Sequence, residues 1–426
     1  MPAPYNPHPL HSTKEIRGHP LFQGAISRWI WRIVTHRITR PGGWFLGMTF
    51  AFTVYGATSL DLQVFVPFTY AAGLWIVALV LALTRPPRIN LTAQMATRIE
   101  AGQTLPVEID VRALRPLFDA TLLPRRLPSA IDAVPLDGVP LDTLRAGETQ
   151  RVRLGLFCAR RGAYVLRGFR VQTAFPCGLL RAFAAVPDEY PLLVLPQFSR
   201  LTQMTLPLRR SDQPGGAALS SARREALEFL GDREWRDGDS IRDIDWRATA
   251  RLDRLVVREF REEYFHRVAL LLDTQARAGR ETAAFEAAVS LCASAADFAA
   301  HAGYALEMLA VGSAVHNLSG EQNLATAGRV LDILATVMPT SRGGAVSAAP
   351  NISDGLGRVS VTICVLLDWD NERRALADSL QREGTALKII IVRDGPCTLD
   401  PADDEARYGG ITCVSPAQVE AGIEQL

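Results

Sequence analysis

The residues best placed to do chemistry lie in one charge-dense run, Arg223 to Glu263. At its heart is Gly231-Asp-Arg-Glu-Trp-Arg-Asp-Gly-Asp-Ser-Ile-Arg-Asp-Ile-Asp-Trp-Arg-Ala-Thr-Ala-Arg251, followed by Val256-Val-Arg-Glu-Phe-Arg-Glu-Glu263. Asp237, Asp239, Asp243 and Asp245 are spaced closely enough to act as paired acids in a hydrolase. No nucleophile–base pair stands beside them, which weakens that chemistry. The acids and arginines alternate in sign and nearly cancel, as a solvated or internally salt-bridged surface does. The other use of such a run is a docking surface built from bidentate arginine–carboxylate contacts. Trp235 and Trp246 suit either a core or an interface anchor.

Other chemistries are excluded by what is missing. There is no G-x-x-x-x-G-K-[ST], and Lys14 and Lys388 are the only lysines, so a P-loop ATPase is ruled out. Neither H-E-x-x-H nor G-x-S-x-G occurs, and the 7 histidines form no ligand spacing. The 6 cysteines are scattered without a C-x-x-C pair and are expected to be reduced core residues. A net charge of +1 makes no case for nucleic acid. No catalytic residue is assigned, and the chain is expected not to be an enzyme.

The elements that must hold the run follow from pattern. Asp237-Gly238-Asp239 is a turn, and Ser240 with Asp243 resembles a capping box that starts a helix. Ile241, Ile244 and Ala248 recur at helical spacing and should face inward. Upstream, residues 42–84 carry Asp61 as their only charge. They divide into two apolar halves of roughly 18 to 22 residues, about 27 to 33 Å each as helix, which fits a two-helix transmembrane hairpin. Arg28, Arg32, Arg37 and Arg40 precede it and Arg85, Arg88 and Arg98 follow it, so both ends are expected in the cytoplasm. Residues 1–41 form a cytoplasmic N-terminal segment, in which Leu21 to Val34 suits an interfacial helix.

Residues 88–200 show period-two alternation, as in Val107–Arg112, Arg151–Phe157 and Tyr164–Val171, which predicts a small antiparallel β-sandwich. A Gly/Ser-rich linker, Asp212 to Ser221, leads into the charged motif at 221–263. From 264 to 426 strands and helices alternate. Strands are expected near 268–273, 305–311, 359–368, 387–392 and 411–414, and helices near 282–301, 324–337, 371–383 and 416–426. That order predicts a doubly wound, mostly parallel α/β sheet. The fold class is therefore α+β and multidomain.

The 231–260 motif closely resembles the hallmark of the bacterial domain of unknown function 58 family. The matching residues are Arg233, Trp235, Gly238, Asp239, Arg242, Ile244, Asp245, Trp246, Arg247, Ala250, Arg251, Val257, Arg258, Glu259 and Phe260. Arg161-Gly-Ala-Tyr164 and Thr173-Ala-Phe-Pro-Cys-Gly-Leu179 are similar to two further family pieces. Trp235, Asp237 and Cys177 depart from the usual tyrosine, proline and phenylalanine. The resemblance implies a C-terminal domain like the von Willebrand factor A fold. It also implies a MoxR-type AAA+ ATPase as partner, and a role in maturing or assembling a client protein that the sequence does not name.

Von Willebrand factor A domains hold Mg²⁺ through Asp-x-Ser-x-Ser after the first strand. Here Asp273-Thr-Gln-Ala-Arg277 keeps the acid and replaces both serines with Gln275 and Arg277. Asp368 and Asp370 could bring acids to the same sheet edge. The alternative is that Asp273 and Asp368 cap helices or pair with Arg277. Three functions follow: a non-catalytic membrane-anchored scaffold or adaptor, a metal-dependent ligand-binding module using Asp273 and Asp368, and a hydrolase using the acids of 231–251. The first is the expectation, with bilayer lipid, the ATPase and an unknown client as partners and an inner-membrane, multi-pass location.

Overall fold

The computed structural model describes residues 37–58, 62–207, 227–236, 239, 241–262, 267–276, 282–311, 314–318, 324–340 and 359–426. The expected interfacial helix at Leu21–Val34 and the linker at Asp212–Ser221 lie outside them. The chain divides into two compact units, Met1–Leu195 and Pro196–Leu426.

The first unit opens on two helices, α1 (Arg40–Thr58) and α2 (Leu62–Thr84). They pack through Phe45 and Trp75, whose ring centroids are 6.2 Å apart. Trp44, Phe50, Tyr55, Tyr70 and Ile76 point outward. The hydroxyls of Thr49, Thr53 and Thr84 donate to carbonyls one turn back, which satisfies them within their own helices. Val66–Thr84 is long and apolar enough to cross a membrane. Helix α1, the expected first span, carries Gly42, Gly43, Gly47 and threonines among its apolar residues. Among the described residues one further helix is as long and apolar, Thr282–His301, and it is mostly buried in the second unit as a core helix.

The strands of this unit are β1 (Ile89–Gln94), β2 (Arg98–Glu100), β3 (Thr104–Ala113), β4 (Ala120–Pro124), β5 (Ile131–Val134) and β6 (Val139–Leu141). They continue as β7 (Thr149–Cys158), β8 (Gly162–Leu166), β9 (Phe169–Thr173), β10 (Ala182–Val186) and β11 (Tyr190–Leu195). Two four-stranded sheets, β1-β3-β7-β5 and β10-β9-β4-β6, share one core with a small sheet, β2-β11-β8. Strand β3 shows why: Leu105, Val107, Ile109, Val111 and Ala113 alternate inward, while Glu108 and Asp110 pair outward with Arg153 and Arg151 of β7.

The expected single strand Tyr164–Val171 is instead two, β8 and β9, in different sheets. Gly168 makes the corner at φ +72°, and a Cβ there would lie 2.3 Å from the Val186 carbonyl oxygen. Gly168→Ala is expected to cost more than about 1 kcal/mol, since both the backbone conformation and the space reject a methyl group. Thermal unfolding of the whole chain in detergent checks this.

The second unit begins with an antiparallel pair, β12 (Leu227–Glu234) and β13 (Val256–Glu262), bridged by helix α3 (Trp246–Leu252). Its main sheet is built from β14 (Arg267–Leu272), β15 (Ala305–Val311), β16 (Ala314–Asn317), β17 (Val361–Leu366), β18 (Ala386–Val392) and β19 (Ile411–Val414). The order is β16-β15-β14-β17-β18-β19, all parallel except the β15–β16 edge pair. Successive residues of β14 feed opposite cores. Leu270 and Leu272 meet α4 (Thr282–His301), α5 (Leu324–Thr336) and, through Val419, the last helix. Ala269 and Leu271 meet Leu376 and Leu380 of α6 (Asn371–Arg382), with Trp369 and Tyr408. Helices thus cover both faces, as a parallel sheet requires.

Short elements account for the remaining differences. Edge strand β16 has only four residues and no clear alternation to betray it. The closing helix stops at Ala421, because Gly422 leaves the helix at φ +94° and Leu426 returns to hydrogen-bond with Gln203. Of the cysteines expected in the core, Cys158, Cys292 and Cys364 are buried, Cys177 and Cys397 are half-buried, and Cys413 is exposed on β19. Burial pushes the Cys292 and Cys364 thiols up to about 12.

Candidate functional site

The 231–258 segment folds on itself through its own charges. Arg233, at the end of β12, grips Asp239 with two parallel bonds, Nη1 to Oδ2 at 2.7 Å and Nη2 to Oδ1 at 2.8 Å. Asp239 also accepts the Arg236 amide at 2.8 Å, which closes the turn. Asp245 caps α3 by accepting the amides of Arg247 and Ala248, each at 2.9 Å. Its other oxygen accepts Arg258 Nε of β13 at 2.9 Å. Glu234 pairs with Arg254. The Thr249 hydroxyl accepts the Val256 amide at 3.1 Å, and Asp245 donates its own amide to the Val256 carbonyl. Helix α3 is therefore riveted to β13 at its N-cap and at Thr249.

This differs from the expected local geometry. A short 3₁₀ turn, Ile241–Asp243, precedes α3, and the helix begins at Trp246 under Asp245 rather than at Ser240. Ile244 and Ala248 face inward as expected, but Ile241 is 70% exposed. The 3₁₀ turn, at three residues per turn, rotates it out of register with the helix. Asp237, Gly238 and Ser240 lie outside the described residues, as do the side chains of Arg242 and Glu259. The two tryptophans part company. Trp235 is half-buried and donates its amide to Leu255, whereas Trp246 is 63% exposed. Arg247 and Arg251 stand exposed beside it, one helical turn apart.

Asp239 is held down to about 2 from 3.8, first by the Arg233 hydrogen bonds and then by the Arg236 amide. Asp245 is lowered too, by the Ala248 amide and Arg258. A carboxylate whose folded pKa lies below its unfolded one stabilises the fold above the unfolded value, and loses that effect as pH falls through the folded one. The turn is therefore expected to hold down to pH about 4 and to loosen between about 4 and 2. Exchange of the Arg236 amide across that range checks this; protection that ignores pH would contradict it. These acids are acceptors already saturated by arginines and amides, not a proton-sharing pair.

The candidate metal acids are likewise occupied. Asp273, at the end of β14, is 1% exposed. Its Oδ2 accepts Arg373 Nε at 2.7 Å and Nη2 at 2.6 Å, and its Oδ1 accepts the Gln275 amide at 3.0 Å. Arg373 turns its Nη1 to Asp370, which also caps α6. Burial pulls the Arg373 pKa down, but the charge and hydrogen bonds of Asp273, with Asp370, outweigh it and raise it. Asp368 is engaged elsewhere: Thr398 donates its hydroxyl at 2.7 Å and its amide at 3.0 Å, and Arg393 pairs with it.

Sequence reasoning brought Asp273 and Asp370 to one sheet edge but missed Arg373, the residue that joins them; the pairing proposed for Arg277 lies outside the described residues. The only signal for Arg373 was its place three residues after a capping aspartate. A guanidinium fills the position a cation would need, so this donor set does not fit Mg²⁺. Among the described residues, no group of three or more His, Cys, Asp or Glu gathers as metal ligands. Asp404 is also buried and accepts Trp369 Nε1 at 3.2 Å and Arg374 Nη2 at 2.8 Å.

Residues 231–406 match the model of the family described as protein of unknown function DUF58. The uncharacterized protein YeaD of Bacillus subtilis (strain 168) is 26% identical over 235 residues. That alignment covers 54% of this chain and 56% of the relative, so the chain spans about half the length of the curated protein it matches. The CARDB domain of the Pyrococcus furiosus PF1109 protein, solved in complex with di-metal ions, is similar over 26% of this chain and 90% of its own. At 8% identity and a TM-score of 0.15, that likeness is too slight to define a fold.

Proposed function

We propose that this protein is a membrane-anchored, non-catalytic adaptor whose α3 module docks a partner protein, a MoxR-type AAA+ ATPase. The observation that carries this is the division of labour within the module. Its acids Asp239, Asp245 and Glu234 are spent on internal arginines, while Trp246 is left 63% exposed on a helix held to β13 at its N-cap and at Thr249. A large aromatic side chain held rigidly outward, next to Arg247 and Arg251, is the composition that binding hot spots favour. The doubly wound sheet supports a von Willebrand factor A-like reading of the second unit, one in which Arg373 takes the cation's place. The apolar faces of α1 and α2 support a two-helix anchor in the inner membrane. The arginine-rich flanks support a cytoplasmic position for both termini and the folded domains. Affinity purification from native membranes, comparing the unaltered chain with Trp246→Ala, tests the adaptor role.

A further inference from the structure

The outer face of the β10-β9-β4-β6 sheet carries three cations. Arg170 of β9 pairs in register with Leu123 of β4 and Ala185 of β10. Arg125 follows Leu123 by two residues and Arg181 precedes Ala185 by four, so the alternation sets all three on one face. Among the described residues no carboxylate forms an ion pair with any of them. The Arg170 guanidinium sits 5.4 Å from the centre of the Phe183 ring, and its Nε is buried without a hydrogen-bond partner. Burial, and then the like charges of Arg181 and Arg125, lower its pKa. Holding a guanidinium there is unfavourable unless something anionic completes it. Three forked donors on one face, close enough to repel, suit a phosphate oxygen cluster better than a single carboxylate.

The position of the cluster says which phosphate. The loop that ends in Arg181 is tied to the foot of α1. Thr39 donates its amide to the Leu179 carbonyl at 3.0 Å, and Arg181 donates its amide to the Arg37 carbonyl at 2.6 Å. Gly42, in the first turn of α1, passes so close that a Cβ would lie 2.3 Å from the Leu179 carbonyl oxygen. The same loop carries Phe175, which stacks on Phe118 at 4.8 Å, and both rings are exposed. Exposed aromatic rings and arginines beside the start of an apolar helix are what the headgroup layer accommodates.

We propose that Arg125, Arg170 and Arg181 form a binding site for the phosphate of an anionic phospholipid headgroup, in the leaflet where α1 begins. The site orients the sandwich against the bilayer, and it rests on the membrane anchoring proposed above. That anchoring is tested separately, by asking whether the full chain stays in the membrane pellet after alkaline carbonate extraction. For the site itself, the full chain in mild detergent is melted with phosphatidylglycerol, with phosphatidylcholine, or with inorganic phosphate. A ligand of the native state must raise the melting temperature saturably.

The expected result is a rise with phosphatidylglycerol, none with phosphatidylcholine, and one with phosphate only at far higher concentration. Arg170→Gln and Arg181→Gln should lose the phosphatidylglycerol shift while melting, without lipid, no lower than the unaltered chain, because like-charge repulsion is relieved. If Arg170→Gln does not fold, Arg125→Gln at the rim carries the same test. A shift that survives in the variants, or equals that from phosphatidylcholine, overturns the site. Equal shifts from phosphate and phosphatidylglycerol at equal concentration overturn the lipid assignment in favour of a free anion. Loss from the pellet with the lipid shift intact would fault the anchoring alone.

Discussion

Arg373→Met is expected to destabilise the second unit by about 3–5 kcal/mol, the cost of stranding a buried carboxylate without its counter-charge. Asp273 is 1% exposed and Arg373 5%, so water does not reach either group to compensate. The loss has a second component. Arg373 also joins Asp370 and the Gln275 carbonyl, linking the loop after β14 to the first turn of α6. Cys292 and Cys364 lie buried in the cores that this loop closes, and their labelling by a thiol reagent reports opening. Labelling in the variant should be faster by the factor that the destabilisation predicts. The double variant Arg373→Met, Asp273→Leu should recover much of the loss, since it removes both charges together. If the single variant labels like the unaltered protein, the pair is not what holds this edge.

Trp246→Ala should do the reverse. The side chain is exposed, so its removal is expected to change stability by no more than about 0.5 kcal/mol. Partner affinity should fall by about 2 kcal/mol or more, roughly 30-fold, as for a tryptophan anchor. Asp239→Ala would lower both, because it releases the turn that leads into α3. The contrast between the two variants separates a contact residue from a bracing one.

Much of the α/β unit was legible because buried parallel strands are continuous apolar runs. Val268-Ala-Leu-Leu-Leu and the strand at Ala305–Val311 announce themselves, and helix Thr282–His301 falls where its alanine-rich pattern begins and ends. Breaks in geometry were harder to see. Gly168 divides one alternating run into two strands because its backbone turns, which periodicity does not report. Ile241 kept helical spacing in the sequence but sits on a 3₁₀ turn. The charged motif was visible as a whole, yet pairings such as Arg258 with Asp245 depend on β13 returning alongside α3. Arg373 was invisible for the same reason: it meets Asp273 across 100 residues of chain.

The most direct test of the adaptor role is affinity purification of the tagged full chain from its native membranes in mild detergent, with ATP held bound, followed by mass spectrometry. The prediction is recovery of a AAA+ ATPase with the unaltered chain and its loss with a folded Trp246→Ala variant. Recovery of the ATPase at equal yield by both would move the docking surface off α3. Recovery of no ATPase, under conditions that keep the protein intact, would contradict the adaptor role itself.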